Sequence, residues 1–221
     1  MSDKGSKTIA VLGGTGKEGS GLAMRWAMNG YNVIIGSRDG KRAAAYAVEM
    51  SAKLDGKQVT GMSNPDAAKA ADLVVLSVPY TAHHATLEGV KEQLAGKVLV
   101  DITVPLQPPK VRTVHLPEGK SAALEAQALL GEGVKVVAAF QNVSAEQLVD
   151  PNHVVDCDVL VCGDDAEARK TVLELVAATG MKGVEAGSLA NAVAIEALTP
   201  VLLWINKAYG IKGSGIRITG I

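Results

Sequence analysis

Gly14, Gly16 and Gly19 are spaced as G-x-G-x-x-G directly after the apolar run Thr8 to Leu12 (TIAVL). That placement gives each glycine a task. The first permits a tight strand-to-helix turn, the second lets backbone approach a pyrophosphate, and the third lets the helix lie against the strand. Amides from Thr15 to Glu18, Gly16 and Lys17 included, would then face phosphate from a helix N-terminus, where the helix dipole favours anions. The same glycines without a strand before them and a helix after them would be only a tight turn.

The second apolar run, Asn32 to Ile35, ends in Gly36-Ser37-Arg38-Asp39. An NAD site places an acidic residue here, about 20 residues beyond the glycines. Ser37 and Arg38 stand in that place, and Lys41 and Arg42 follow. A hydroxyl and a planar guanidinium suit the 2′-phosphate of NADP, and Thr15 can add a second hydroxyl. The competing reading puts Asp39 on the ribose hydroxyls and the basic side chains in solvent, which would give NAD.

Other chemistry-bearing residues carry less. His83 and His84 open the helix after an apolar strand, on the edge where open sheets bind ligands, and are equally readable as solvated imidazoles. His115 and His153 are isolated in loops. No Cys/His spacing resembles a zinc site and no G-x-S-x-G occurs, so metal and serine-hydrolase chemistry are not expected. Asp164-Asp165 reads as a helix cap. Glu196 lies in an apolar helix, either paired near the surface or buried with a role at a subunit contact. Cys157 and Cys162 fall on opposite faces of one expected strand and should stay unpaired, which fits a reducing cytoplasmic setting.

These residues must be positioned by a folded scaffold, and the composition allows one. The chain has 221 residues, 48% hydrophobic and 20% charged, enough for a sizeable core without staples. A net charge of -1 provides no field for nucleic acid or an anionic membrane, and 3% aromatics leave few platforms for stacking bases. The polar start MSDKGSK lacks a signal-peptide core. The late segment LANAVAIEALTPVLLWI carries Glu196 and Pro200 and reads as a buried or interface helix rather than a membrane span.

Strand signals at 8–12, 32–35, 73–78 and 98–102 alternate with helix signals at 16–29, 41–53 and 82–94. Continuous apolar strands separated by helices mean a parallel sheet covered on both faces. Residues 103–119 hold four of the chain's eight prolines, so an irregular and functional loop is expected there. A helix at 121–130 and a strand at 134–138 resume the sheet. A strand at 154–161, a helix at 166–179, a strand at 183–185, a long helix at 189–209 bent near Pro200, and a final strand GIRITGI complete the chain. The expected architecture is α/β: a Rossmann-like parallel-sheet domain over 1–139 and a smaller α+β domain over 140–221.

The segments IAVLGGTGKEG, GSRD, LSVPY, VVAAFQNVSAEQL, DVLVCGDD and LANAVAIEALTP together resemble NADPH-dependent coenzyme F-420 reductases over nearly the whole chain. More distantly, the chain resembles the oxidoreductase domain of membrane metalloreductases. The first resemblance implies reversible hydride transfer between NADP(H) and the 5-deazaflavin ring of coenzyme F-420. It implies a homodimer whose C-terminal domain supplies the dimer contact and part of the deazaflavin pocket. Carried over by position, Thr15, Gly16, Lys17, Glu18, Ser37, Arg38 and Arg42 would hold the NADP phosphates. Tyr80, His84, Leu106 and Ala145 would line the nicotinamide half, Val143 would pack where the rings meet, and Asn191 and Thr199 would lie near the deazaflavin. The chain departs from the pattern at Gln141 and Val193, where archaeal members can carry His and Arg.

Hydride transfer between two bound rings needs stacking at close approach and exclusion of water rather than an acid or base. Pro79, Leu106 and Val143 suit such a cleft, and no catalytic side chain is assigned. Two other classes remain open at this point. One is an NADPH-dependent reductase of a flavin, a metal chelate or an imine. The other is an NADP-binding sensor without turnover. Fold alone does not separate them.

Overall fold

Strand β1 (Thr8–Leu12) is apolar at almost every position because both of its faces are covered. Side chains alternate across a strand. Ile9 and Val11 join one core with Trp26, Ile35 and Phe140. Ala10 and Leu12 join the opposite core with Leu76, Leu87 and Leu99. The computed structural model describes residues 7–54 and 57–221, so most of the polar N-terminal stretch lies outside the described residues.

The first half runs β1, α1 (Lys17–Met28), β2 (Asn32–Ser37), α2 (Gly40–Ser51), β3 (Val59–Ser63), α3 (Asn64–Ala70), β4 (Leu73–Leu76), α4 (Tyr80–Glu88) and β5 (Val98–Asp101). It continues through α5 (Ala122–Leu130), β6 (Lys135–Ala138), α6 (Ala145–Leu148), β7 (Asp158–Gly163), α7 (Ala166–Ala178), β8 (Lys182–Glu185) and α8 (Ala192–Tyr209). One eight-stranded sheet results, in the order β3-β2-β1-β4-β5-β6-β7-β8. All pairings are parallel except β6–β7. This is the α/β, Rossmann-like architecture. The strand order reverses between β1 and β4, and open α/β sheets bind ligands beyond the strand ends at such a point.

Local chemistry explains where the helices begin. Asp39 accepts from the amides of Lys41 and Arg42 and starts α2. Ser63 caps α3, Ser121 caps α5 and Asp165 caps α7. Such side-chain caps satisfy amides that the first helical turn leaves unpaired. Asp164 instead accepts from Leu189 N, tying the chain ahead of α8 to the end of β7. Both cysteines are free and buried.

Several sequence expectations need correction. The edge pair β3 and α3 gave no clear signal, because VTGMS has little apolar contrast. Gly61 nevertheless fits there: a Cβ would overlap the Ala43 carbonyl. The expected helix 82–94 is divided: α4 stops at Glu88 and a separate 3-10 turn spans Glu92–Leu94. The strand expected from 154 begins only at Asp158. The final GIRITGI alternates like a strand but forms none. It runs beside β7, where Asp158 N donates to Ile216 O and Ile218 N donates to the Asp158 carboxylate. A side chain thus replaces the next rung of backbone pairing.

The segment Leu189–Tyr209 is long and apolar enough to cross a bilayer by length and composition. In this fold α8 continues through Pro200 and packs against α5.

Candidate functional site

The glycine loop turns at Gly13, whose φ of +75° is left-handed. This shifts the tight-turn role from Gly14 to its neighbour. Gly13 N and Gly14 N donate to Gly36 O at 3.0 and 3.2 Å, binding the loop to the end of β2. Gly14 is required by packing, since a Cβ there would lie 2.7 Å from Val11 O. Gly19 lets α1 approach the residue after β4, with its Cβ position 2.9 Å from Ser77 Oγ. Gly16 has ordinary backbone angles, and a Cβ would meet only Gly13 O at 3.4 Å. What Gly16 provides is open space above a helix N-terminus, which is what an approaching phosphate needs.

A cleft of about 450 Å³ extends from that loop. Gly16, Lys17 and Glu18 line its end at the glycine loop. Ser77, Val78 and Pro79 follow β4, while Ile102, Thr103, Val104 and Leu106 follow β5. The opposite wall comes from the 141–146 segment after β6, including Val143 and Ala145. Thr199, Leu202, Leu203 and Asn206 of α8, with Ser214 beyond it, close the far side. The cleft therefore lies at the carboxyl ends of the central strands.

Near the glycine loop, Ser37 is half-buried at the end of β2, and Arg38 and Arg42 are exposed beside it. Thr15 is half-buried in the turn. Asp39, the competing ribose acceptor, directs Oδ1 to the amides of α2. Its role as a cap weighs against the NAD reading. Lys17 is bonded to Glu146 at 2.7 Å across the cleft mouth. Both partners are exposed, and such pairs contribute about 0–1 kcal/mol, so an incoming phosphate can take the ammonium over. Burial pushes the Glu18 carboxyl up to about 8, which favours its neutral form beside the helix N-terminus.

Seven residues singled out by resemblance lie outside the cleft lining: Thr15, Ser37, Arg38 and Arg42, and, farther along, Tyr80, His84 and Asn191. Tyr80 donates its hydroxyl to Glu125 at 2.8 Å. His84 is exposed and lies 3.4 Å from Glu88. Asn191 donates to Ala186 O at 2.6 Å. Sequence reasoning in turn missed Leu202, Leu203 and Asn206. Their spacing from Thr199, at i+3, i+4 and i+7, is one helical stripe and was a readable signal.

The inner wall has unmet hydrogen-bonding capacity. Thr103 Oγ1, Gln141 Oε1 and Asn142 Oδ1 are buried without a protein partner, and all three residues line the cleft. Such groups are costly unless something completes them. A ligand bearing ring or amide N–H groups fits this wall, and a nicotinamide or a deazaflavin has them. Just before it, Phe140 adopts a left-handed φ of +73°. An aromatic residue pays about 1–3 kcal/mol for that conformation, and it persists where packing over-determines it. Phe140 is fully buried and meets Trp26 edge-on at 6.0 Å.

Glu196 belongs neither to the surface nor to the cleft. Its two oxygens accept from Ala122 N at 2.7 Å and Ala123 N at 3.0 Å, at the start of α5. Burial pushes its carboxyl to about 8, against the lowering effect of those two amides. Between its ordinary value of 4.5 and about 8, the native chain holds a proton that the unfolded chain has lost. Stability contributed by this group therefore falls as pH rises through that window. Glu196→Gln removes this dependence. Its unfolding free energy should decline less between pH 5 and pH 8 than that of the wild type, as read by denaturant titration at both pH values.

Comparison with known proteins agrees with this geometry. The family model described as NADP oxidoreductase, coenzyme F420-dependent, matches residues 8–105. An F420-dependent NADP reductase of Methanothermobacter thermautotrophicus is 44% identical over 96% of this chain and 95% of its own length. A metalloreductase of Rattus norvegicus is 32% identical over 90% of this chain but only 38% of its own length. A solved structure from Arthrobacter sp. FB24 is 30% identical, with a TM-score of 0.81 over 97% of this chain and all of that one. The glycine loop, the cleft at the reversal of strand order and near-complete alignment with the Methanothermobacter enzyme converge on one conclusion: the chain belongs to the F420-dependent NADP reductase family.

Proposed function

We infer that this protein is an oxidoreductase that transfers a hydride reversibly between NADP(H) and the 5-deazaflavin coenzyme F-420. The observation that carries this reading is the cleft itself. It runs from an open helix N-terminus to a mostly apolar end with three unpartnered polar atoms on its wall. When bound side by side, the nicotinamide and the deazaflavin supply donor and acceptor for the hydride. The protein's part is to bind, align and dry them.

In this reading the loop amides of Thr15, Gly16, Lys17 and Glu18 hold the pyrophosphate, beside Gly14. Ser37, Arg38 and Arg42 hold the 2′-phosphate. Pro79, Leu106, Val143 and Ala145 enclose the nicotinamide, and Tyr80 and His84 flank that half. Thr199 and Asn191 belong to the deazaflavin side. Val143 sets the separation of the rings. Residues 1–139 thus act as the NADP-binding unit, and 140–221 complete the deazaflavin pocket.

The test is a spectrophotometric assay with NADPH and oxidised F-420, with NADH and FMN in parallel. NADPH-dependent bleaching of the deazaflavin, slow with NADH and absent with FMN, is the expected result. Tight NADPH binding without bleaching would overturn the choice of acceptor. Val143→Ala should slow the hydride-transfer step, because misplacement by about 1 Å can cost about 100-fold. Stopped-flow rates with 4-deuterated NADPH would show the slowing together with a changed isotope effect.

We further propose a cytoplasmic homodimer. Trp204, 58% exposed, and exposed Val201 lie one turn apart on α8, and Tyr209 and Ile211 are exposed at its end. Exposed large apolar side chains clustered on one element favour association. Sedimentation velocity at micromolar concentration would show a dimer, and a lone monomer would remove this part of the reading.

A further inference from the structure

Behind the inner wall of the cleft lies a buried ion pair that the hydride-transfer reading does not use. His83 in α4 is 2% exposed and Asp101 at the end of β5 is fully buried. His83 Nε2 lies 2.7 Å from Asp101 Oδ2. Neither residue lines the cleft. Such a pair is weak grounds for stability, since apolar residues of similar volume often serve as well. Its connections distinguish it. Asp101 Oδ1 accepts from Thr103 N at 3.0 Å, and Asp101 O accepts from Gln141 Nε2 at 2.7 Å. Gln141 O in turn accepts the Thr199 hydroxyl at 2.6 Å. One residue therefore holds the loop after β5, the strained turn at Phe140 and, through Gln141, the cleft face of α8.

We propose that His83 is a positioning residue: by fixing Asp101 it holds Thr103 through the carboxylate and Gln141 through the main-chain carbonyl in the arrangement that receives the two rings. This rests on the proposed function. The consequence is chemical as well as steric. Gln141 commits its amide nitrogen to Asp101 O, so only its oxygen is left without a protein partner. At this position the wall then offers the Gln141 oxygen as an acceptor. Burial lowers the His83 pKa, but the hydrogen bond and charge of Asp101, with a further contribution from Glu125, outweigh it and leave the pKa raised. The charged form that grips Asp101 is thereby favoured.

The test compares two amides that differ by one methylene. In H83Q the amide nitrogen can take the place of Nε2 and still donate to Asp101. The shorter side chain of H83N reaches only the place of Nδ1. H83Q should keep kcat and KM within about threefold of wild type, while H83N lowers kcat by about tenfold or more, the range expected for a lost charge-assisted bond. Affinity for adenosine 2′,5′-bisphosphate, which covers only the phosphate end, should be unchanged in both. Affinity for NADP+ relative to that half-ligand should fall only in H83N. Equal losses in H83Q and H83N, or a wild-type H83N, would overturn the proposal. If H83N does not fold, D101N takes its place: the same selective loss supports the proposal, and wild-type behaviour overturns it. If the wild-type protein fails to bleach F-420, the functional reading fails, while the two binding affinities still decide the role of His83.

Discussion

Arg38→Ala is expected to raise the KM for NADPH by about tenfold or more while changing that for NADH by less than about twofold. Arg38 is exposed beside the end of β2. The strand register puts Gly36 opposite Leu12, so Ser37 and Arg38 emerge next to the glycine loop. A guanidinium there presents a planar fork to a phosphate that NADP has and NAD lacks. Hydrogen bonds to charged groups contribute about 1.5–3 kcal/mol, and solvent exposure places this one toward the lower end. The penalty should shrink as salt screens the wild-type contact. Steady-state kinetics with both nucleotides at low and high ionic strength check both statements. An equal loss for NADPH and NADH would place the 2′-phosphate elsewhere.

Gly13→Ala should have the largest effect on stability, and its contrast with Gly16→Ala separates structure from binding. At Gly13 a side chain faces a left-handed φ of +75° and overlap with the Ser77 carbonyl. The backbone strain alone costs about 1–2 kcal/mol. Overpacking adds about 1–3 kcal/mol, giving a loss of about 2–5 kcal/mol. In a chain of this size that lowers Tm by about 4–20 °C. At Gly16 the backbone is ordinary and the space is open. Gly16→Ala should therefore keep its Tm and lose NADP(H) affinity, because the methyl occupies the approach of the pyrophosphate. Differential scanning calorimetry and NADPH titration of both variants provide the comparison. A normal Tm in Gly13→Ala would show that the loop turns in another way.

The same loop shows how far a linear pattern reaches. The G-x-G-x-x-G spacing placed a strand-to-helix loop at one end of the cleft, and Gly19 packs as its position required. The pattern did not identify Gly13 as the residue that turns, since adjacent glycines are alike in sequence and differ only in φ. Asp39 is a second case. The sequence offered it only as a ribose acceptor, and its bonds to Lys41 N and Arg42 N make it a cap.

Elements that bury both faces were legible. Runs such as TIAVL and LVVL have one composition whether read along the chain or in the sheet. Elements at the periphery were less so. VTGMS lies next to the sheet's edge-lining helix α2 with little apolar contrast, and GIRITGI has strand periodicity without a strand, because the Asp158 side chain takes the amide of Ile218. Periodicity reports which residues seek burial and says nothing of which backbone groups find partners.

Local spacing was enough to establish the α/β class and the family, and it singled out the glycine loop, Ser37 and Arg38 as candidates to meet phosphate. These depend on residue types that neighbours along the chain can interpret. Long-range packing settled the rest: Tyr80, His84 and Asn191 stand outside the cleft lining, Glu196 holds the start of α5, and His83 meets Asp101 behind the inner wall. Those outcomes depend on contacts between groups far apart in the chain. Asp101 joins Gln141, 40 residues away, and Glu196 joins Ala122, 74 residues away. A buried polar group is compelled to find a partner, but which partner is set by the packing of strands and helices around it.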